Sequence, residues 1–205
     1  MRRPFVLSVL GLKDSGKTTL ACGLISGLGA LGLSVAALKN THVTTLTLDA
    51  HGTDSAALWE AGARFVAVRS RSQTMTMERH PAGDPSSELL ELVPPYVALV
   101  VAEGLLPPGP QTPRAIVCLR RFGELEETLA VRNISPGDVL ALGGMAASLP
   151  AGAAEAGCRP AAEVGSRPAW PVFDIRDAAA AQELCRLVLA TAGIAAPGPR
   201  LPSAR

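Results

Sequence analysis

The residues with the clearest chemistry lie near the start of the chain. Gly11-Leu12-Lys13-Asp14-Ser15-Gly16-Lys17-Thr18 follows the pattern G-x-x-x-x-G-K-T, the loop that wraps nucleotide phosphates. Gly11 and Gly16 allow a tight turn whose amides face inward, forming an anion nest at a helix N-terminus. Lys17 supplies a mobile positive charge for the β- and γ-phosphates, and Thr18 a hydroxyl for Mg²⁺. Asp14, Ser15 and Thr19 fall within or beside the same cradle.

A triphosphate with Mg²⁺ also needs hard oxygen ligands for the metal. Glu103 ends the apolar run Val97 to Ala102 and precedes Gly104, which places a carboxylate at the ligand edge of a sheet. Burying that charge without a partner costs roughly 5 kcal/mol or more, so a metal or Lys17 is expected beside it. Asp49 and Asp54 flank Gly52 and are further metal candidates, although Asp54 can equally cap a helix. Lys39 and His42 follow the second apolar run and are expected at the mouth of the site. His42 is the candidate for moving a proton or holding an anion. No Asn-Lys-x-Asp run is present to read guanine, so the residues are compatible with either GTP or ATP.

The elements that must hold these groups follow from periodicity. Phe5 to Leu10 reads as a strand, and Leu20, Leu24, Leu28 and Leu31 mark one face of a helix that Gly32 stops. Ser34 to Leu38 reads as the next strand. Helices are expected over 54–63, 84–92 and 177–189. Strands are expected over 65–68, 74–77, 97–102, 115–119, 139–142 and 172–175. Residues 146–171, rich in Ala, Gly and Pro, read as a loose surface excursion. The alternation predicts an α/β protein, a three-layer phosphate-loop nucleoside triphosphate hydrolase fold with a mostly parallel central sheet. One domain is expected over 1–194, with a disordered Pro/Gly tail at 195–205.

Composition narrows the function. In 205 residues, 48% are hydrophobic and 18% charged, enough apolar content for a core. A net charge of +1 and an aromatic content of 3% argue against nucleic acid as a partner. No apolar run is long enough to span a membrane, so a cytoplasmic protein is expected. Cys22, Cys118, Cys158 and Cys185 are scattered singly, without zinc or disulfide spacing.

Taken together, the segments resemble the molybdopterin-guanine dinucleotide biosynthesis protein B family. The resemblance rests on Gly11 to Thr19, Leu38-Lys39-Asn40-Thr41-His42, Asp49, Gly52, Asp54-Ser55, Ala61-Gly62-Ala63 and Glu103-Gly104. Weaker similarity runs through Ile116 to Arg120 and Phe173-Asp174-Ile175. It implies GTP binding with weak hydrolysis, Mg²⁺ as cofactor, and a homodimer. It also implies a supporting role for the nucleotidyltransferase that joins a GMP unit to molybdopterin, with molybdopterin or molybdoenzymes as further clients. By the same resemblance Lys17 and Thr18 hold phosphates and metal, Asp54 and Glu103 lie near the metal with Asp49, and Lys39 and His42 line the opening. Val43, Thr53 and Leu105-Leu106-Pro107 depart from the family's usual histidine, lysine and aromatic-lysine at those points. A small-molecule kinase or ligase on the same loop is the alternative reading, and it would need a basic acceptor pocket.

Overall fold

The computed structural model describes residues 4–40, 54–79, 89–106, 113–148 and 170–195. They fall into two compact units, Thr41–Pro85 and the remainder. The larger unit is built on β1 (Phe5–Gly11), β2 (Val35–Lys39), β5 (Leu99–Glu103), β6 (Ala115–Cys118) and β7 (Val139–Gly143). These form one sheet in the order β2-β5-β1-β6-β7, every pair parallel, as the alternating pattern predicts. The smaller unit holds β3 (Phe65–Arg69) and β4 (Thr74–Glu78), an antiparallel pair, with helix α2 (Asp54–Glu60).

The apolar strands of the large sheet are sorted by the pleat. Leu7 and Val9 of β1, Leu99 and Val101 of β5, and Ile116 and Cys118 of β6 point to one face. There they meet Leu20, Leu24 and Leu28 of α1 (Lys17–Ala30), and Leu184, Cys185, Val188 and Leu189 of a C-terminal helix. On the opposite face Val117, Leu10 and Leu142 pack with Leu129 of α3 (Leu125–Val131), Ile134, Ala146 and Trp170. Val100 and Ala102 pack beside Leu89, Leu90 and Val93. A sheet buried on both sides needs strands that are apolar throughout, which β6 and β7 are and β5 is as far as Ala102.

The C-terminal helix, α4 (Ala178–Ala192), is capped at both ends. The Asp177 carboxylate accepts from the Ala180 amide at 2.7 Å. Gly193 closes the other end in the left-handed conformation at φ 62°.

Several expectations are corrected. Leu31 is part of the periodic stripe but lies beyond the end of α1 and is 37% exposed. The strand expected over 172–175 reduces to a single bridge between Val172 and Leu142, because the chain turns away into the loop before α4. Trp170 and Ala146, read as parts of a loose excursion, are both buried in the core; residues 149–169 lie outside the described residues. Of the helix expected over 84–92, residues 89–91 are helical and 84–88 lie outside the described residues. Helix α3 has no counterpart in the sequence reading, because its apolar positions are too few in seven residues to show a period. No helix among the described residues is long and apolar enough to cross a membrane.

Leu24 is fully buried between α1 and the sheet. Leu24→Ala is expected to lower unfolding free energy by about 2–5 kcal/mol. Urea denaturation, read as a shift in midpoint at constant slope, checks this.

Candidate functional site

The β1–α1 connection is shaped by its backbone. Gly16 occupies the left-handed region at φ 86° as the residue that opens α1, and Asp14 does so at φ 60°. No side chain caps α1, and its first turn carries no acid. The leading amides of the helix therefore keep their hydrogen-bonding capacity for an anion, with the helix dipole favouring negative charge. The Lys17 ammonium folds back to donate to the Leu12 carbonyl. Burial, and then the nearby Arg132 guanidinium, lower the Lys17 pKa below its ordinary value. Arg132, just past α3, donates from Nε to the Gly11 carbonyl at 3.0 Å and ties the floor of the loop to the opposite layer.

Three predicted residues meet at the adjoining strand ends. The Thr18 hydroxyl donates to Glu103 at 2.9 Å to Oε1, with Oε2 at 3.1 Å. The Lys39 ammonium pairs with Glu103 Oε1 at 3.0 Å. Lys39 and Thr18 are the groups in direct contact with the carboxylate, and Lys17 acts on it as a nearby charge. Glu103 and Lys39 are opposite each other in the β2–β5 register, which makes the ion pair a cross-strand neighbour contact. The Glu103 side chain is 13% exposed and that of Lys39 57%. The carboxylate is therefore held near the protein's interior and its counter-charge in water.

Asp54 opens α2 in the smaller unit, and His42 and Asp49 lie outside the described residues. Among the described residues no group of three or more His, Cys, Asp or Glu gathers around a metal position. A Thr hydroxyl and a carboxylate one hydrogen bond apart are nonetheless the hard donors that Mg²⁺ takes, leaving the rest of its octahedron to water and phosphate. Cys118 is not part of this chemistry: burial pushes its thiol up to about 12, so it fills the core as a neutral group.

A cavity of about 670 Å³ opens over the loop. Residues 14–19 form one wall, and Gly144, Met145 and 174–176 form the other. Its size suits a nucleotide-sized ligand. Gly144 sets the fit between the walls. Its φ is +85°, and a Cβ there would lie 2.2 Å from the Ser15 carbonyl oxygen and 2.9 Å from the Leu119 amide nitrogen. The adjoining Met145 amide donates to the same Ser15 carbonyl at 3.2 Å. Sequence reading did not reveal this wall or Arg132, because their roles depend on which strands become neighbours.

Comparison with known proteins places this geometry in a family. The family model for molybdopterin guanine dinucleotide synthesis protein B matches residues 6–123. No curated protein matches the chain in sequence. Among solved structures, a MobB protein homolog from Bacillus stearothermophilus aligns with a TM-score of 0.56 at 21% identity, covering 92% of this chain and 97% of the other. Bacillus subtilis MobB aligns with a TM-score of 0.59 at 20% identity, covering 89% and 96%. A structure described as molybdopterin-guanine biosynthesis protein B aligns at 0.57 and 20% identity, covering 92% and 99%. These likenesses share the fold.

Gly144→Ala forces a side chain into the Ser15 carbonyl and into a left-handed backbone. It is expected to destabilise the protein by about 1–3 kcal/mol from the backbone alone and to weaken triphosphate binding. Thermal unfolding and calorimetric titration of the same sample check both.

Proposed function

The chain belongs to the molybdopterin guanine dinucleotide synthesis protein B family, and we propose that it is a GTP-binding accessory protein with slow, Mg²⁺-dependent GTPase activity. In this reading it supports the nucleotidyltransferase that attaches GMP to molybdopterin in molybdenum cofactor synthesis, in the cytoplasm. The observation that carries the nucleotide assignment is the Thr18–Glu103–Lys39 contact set beside the uncapped start of α1.

Each residue has a defined task. The loop amides from Asp14 to Thr19 hold phosphate oxygens, with Gly11 and Gly16 giving the loop its turn. Lys17 exchanges its Leu12 carbonyl contact for phosphate oxygens, where a charge-assisted bond is stronger. Thr18 and Glu103 hold Mg²⁺. Bound Mg²⁺ would supply charge neutralisation across the β- and γ-phosphates. Lys39, half-exposed and paired with Glu103, offsets the anionic charge at the opening, and His42 is the proton-moving candidate. With His42 as the general-base candidate named from the sequence, turnover by the isolated protein stays well below the roughly 1–100 s⁻¹ of kinases. It rises when the nucleotidyltransferase binds.

Lys17→Ala is expected to weaken GTP binding roughly 10- to 100-fold, the worth of a lost charge-assisted contact. Glu103→Gln should lower Mg²⁺-dependent phosphate release about tenfold or more while leaving metal-free GTP affinity nearly unchanged. Calorimetric titration and steady-state phosphate release read these directly. Unaltered affinity in Lys17→Ala would overturn the nucleotide assignment, and fast transfer to a small acceptor would replace the accessory role with a kinase.

A homodimer completes the reading. The smaller unit exposes Leu58 at 59% and Phe65 at 55%, apolar surface of the kind that assembly covers. Light scattering at micromolar concentration should give twice the monomer mass; the monomer mass would overturn it.

A further inference from the structure

We propose that the cavity wall formed by Gly144, Met145 and the loop 174–176 holds the base of the nucleotide, and that Asp174 with Arg176 reads the hydrogen-bonding edge of guanine. This rests on the nucleotide reading above and names the residues that choose the base.

Topology fixes the direction in which a nucleotide must lie. The Thr18–Glu103 contact is on the β5 side of β1, so the terminal phosphates and metal belong there. The rest of the ligand runs the other way, over β6 and β7. The segment leading into 174–176 is laid along β7: the Leu142 amide donates to the Pro171 carbonyl at 2.9 Å and the Phe173 amide to the Leu142 carbonyl at 3.0 Å. The loop therefore leaves at the same carboxyl edge as the phosphate loop, where ligands of such sheets bind.

Ile175 then anchors that loop to α1. A Cβ on Gly23 would lie 2.4 Å from Ile175 Cγ1, so Gly23 exists as a seat for this side chain. Gly23 is six residues past Lys17, about 9 Å along the helix, a spacing that leaves room for a nucleoside between the phosphate cradle and the loop.

The charged pair flanking Ile175 has the right chemistry for one base. Arg176 donates from Nε to Asp174 Oδ1 at 3.1 Å and from Nη2 to Oδ2 at 3.3 Å, and the Arg176 amide donates to Oδ1 at 3.0 Å. The carboxylate is thereby fixed to its own backbone turn with a cation beside it, and both residues line the cavity. Guanine presents two adjacent donors, N1–H and the N2 amino group, next to the O6 acceptor. A carboxylate accepts from the donors and a guanidinium donates to O6. Adenine presents an acceptor at N1, which a carboxylate repels. The Asp of an Asn-Lys-x-Asp run is missing from this sequence, and a carboxylate in the next loop does the same work.

The test compares GTP, ATP, xanthosine triphosphate and inorganic tripolyphosphate on the full chain and on Asp174→Asn, by calorimetry with Mg²⁺. The parent should prefer GTP over ATP by roughly 10- to 100-fold, the worth of a bidentate base contact. Asp174→Asn should lose most of that affinity for GTP, gain affinity for xanthosine triphosphate, whose C2 oxygen accepts from the new amide, and keep tripolyphosphate affinity. An unchanged melting temperature for the variant shows that the turn survives, since Asn retains an acceptor for the Arg176 amide. Equal GTP and ATP affinity in the parent, or unaltered GTP affinity in the variant, overturns the base-reading role while tripolyphosphate binding keeps the phosphate cradle. Absence of tripolyphosphate and nucleotide binding in the parent overturns both.

Discussion

The parallel register of β1 on β5 decides what the phosphate loop can do. Val9 stands opposite Glu103, and the Gly104 amide donates to the Val9 carbonyl at 3.0 Å. The carboxylate is thereby locked at the level where β1 gives way to the loop. Two residues past Gly16, the Thr18 hydroxyl comes within 2.9 Å of it. A one-residue slip would turn the Glu103 side chain to the other face of the sheet, and Thr18 would lose its carboxylate. The register is held by burial: Leu99, Val100, Val101 and Ala102 are each 0–1% exposed, and any slip moves all of them into wrong packing. Core packing and site geometry are in this sense one constraint.

The same register explains why Glu103 tolerates its position. A carboxylate that is 13% exposed loses most of its hydration, a cost of several kcal/mol unless other groups replace water. Lys39 arrives opposite it from β2, and Thr18 from α1, so both replacements come from elements whose placement the sheet already dictates. On the other side of β1 the logic is steric. Gly144 lets β7's following loop touch the Ser15 carbonyl, and Gly23 lets Ile175 touch α1. Charge organises the β5 side of the site, and close backbone approach organises the β7 side.

That division accounts for what was legible in the sequence. Lys17, Thr18, Lys39 and Glu103 could be named because each is tied to a strand end or a local motif that periodicity marks. The five strands of the parallel sheet were legible within two residues, since central parallel strands are continuous apolar runs, whereas the strand expected over 172–175 is a single bridge. Arg132, Met145 and Arg176 were not legible as site residues. Arg132 acts through Gly11 and Met145 through Ser15, both more than 100 positions away in sequence, and Arg176 joins residues 14–19 only as the far wall of the same cavity. Helix α3, which delivers Arg132, has seven residues and no readable stripe. Trp170 was read as part of a loose segment because Ala, Gly and Pro surround it, yet one buried ring outweighs the local composition.

Lys17 shows how the two sides of the site communicate. Arg132 fixes the floor of the loop through the Gly11 carbonyl and, with burial, disfavours the charged form of Lys17. The loop thus holds a cation that is desolvated and repelled by a second cation, with a backbone carbonyl as its direct contact. A polyanion entering the loop relieves both penalties at once, because it offsets the repulsion and replaces the carbonyl with charged oxygens. The Glu103 and Asp14 carboxylates already favour the charged form against burial and Arg132, and phosphate oxygens would add to that side of the balance. Removing Arg132 would take away both the Gly11 tie and a nearby positive charge, which makes its contribution to the loop electrostatic as well as mechanical.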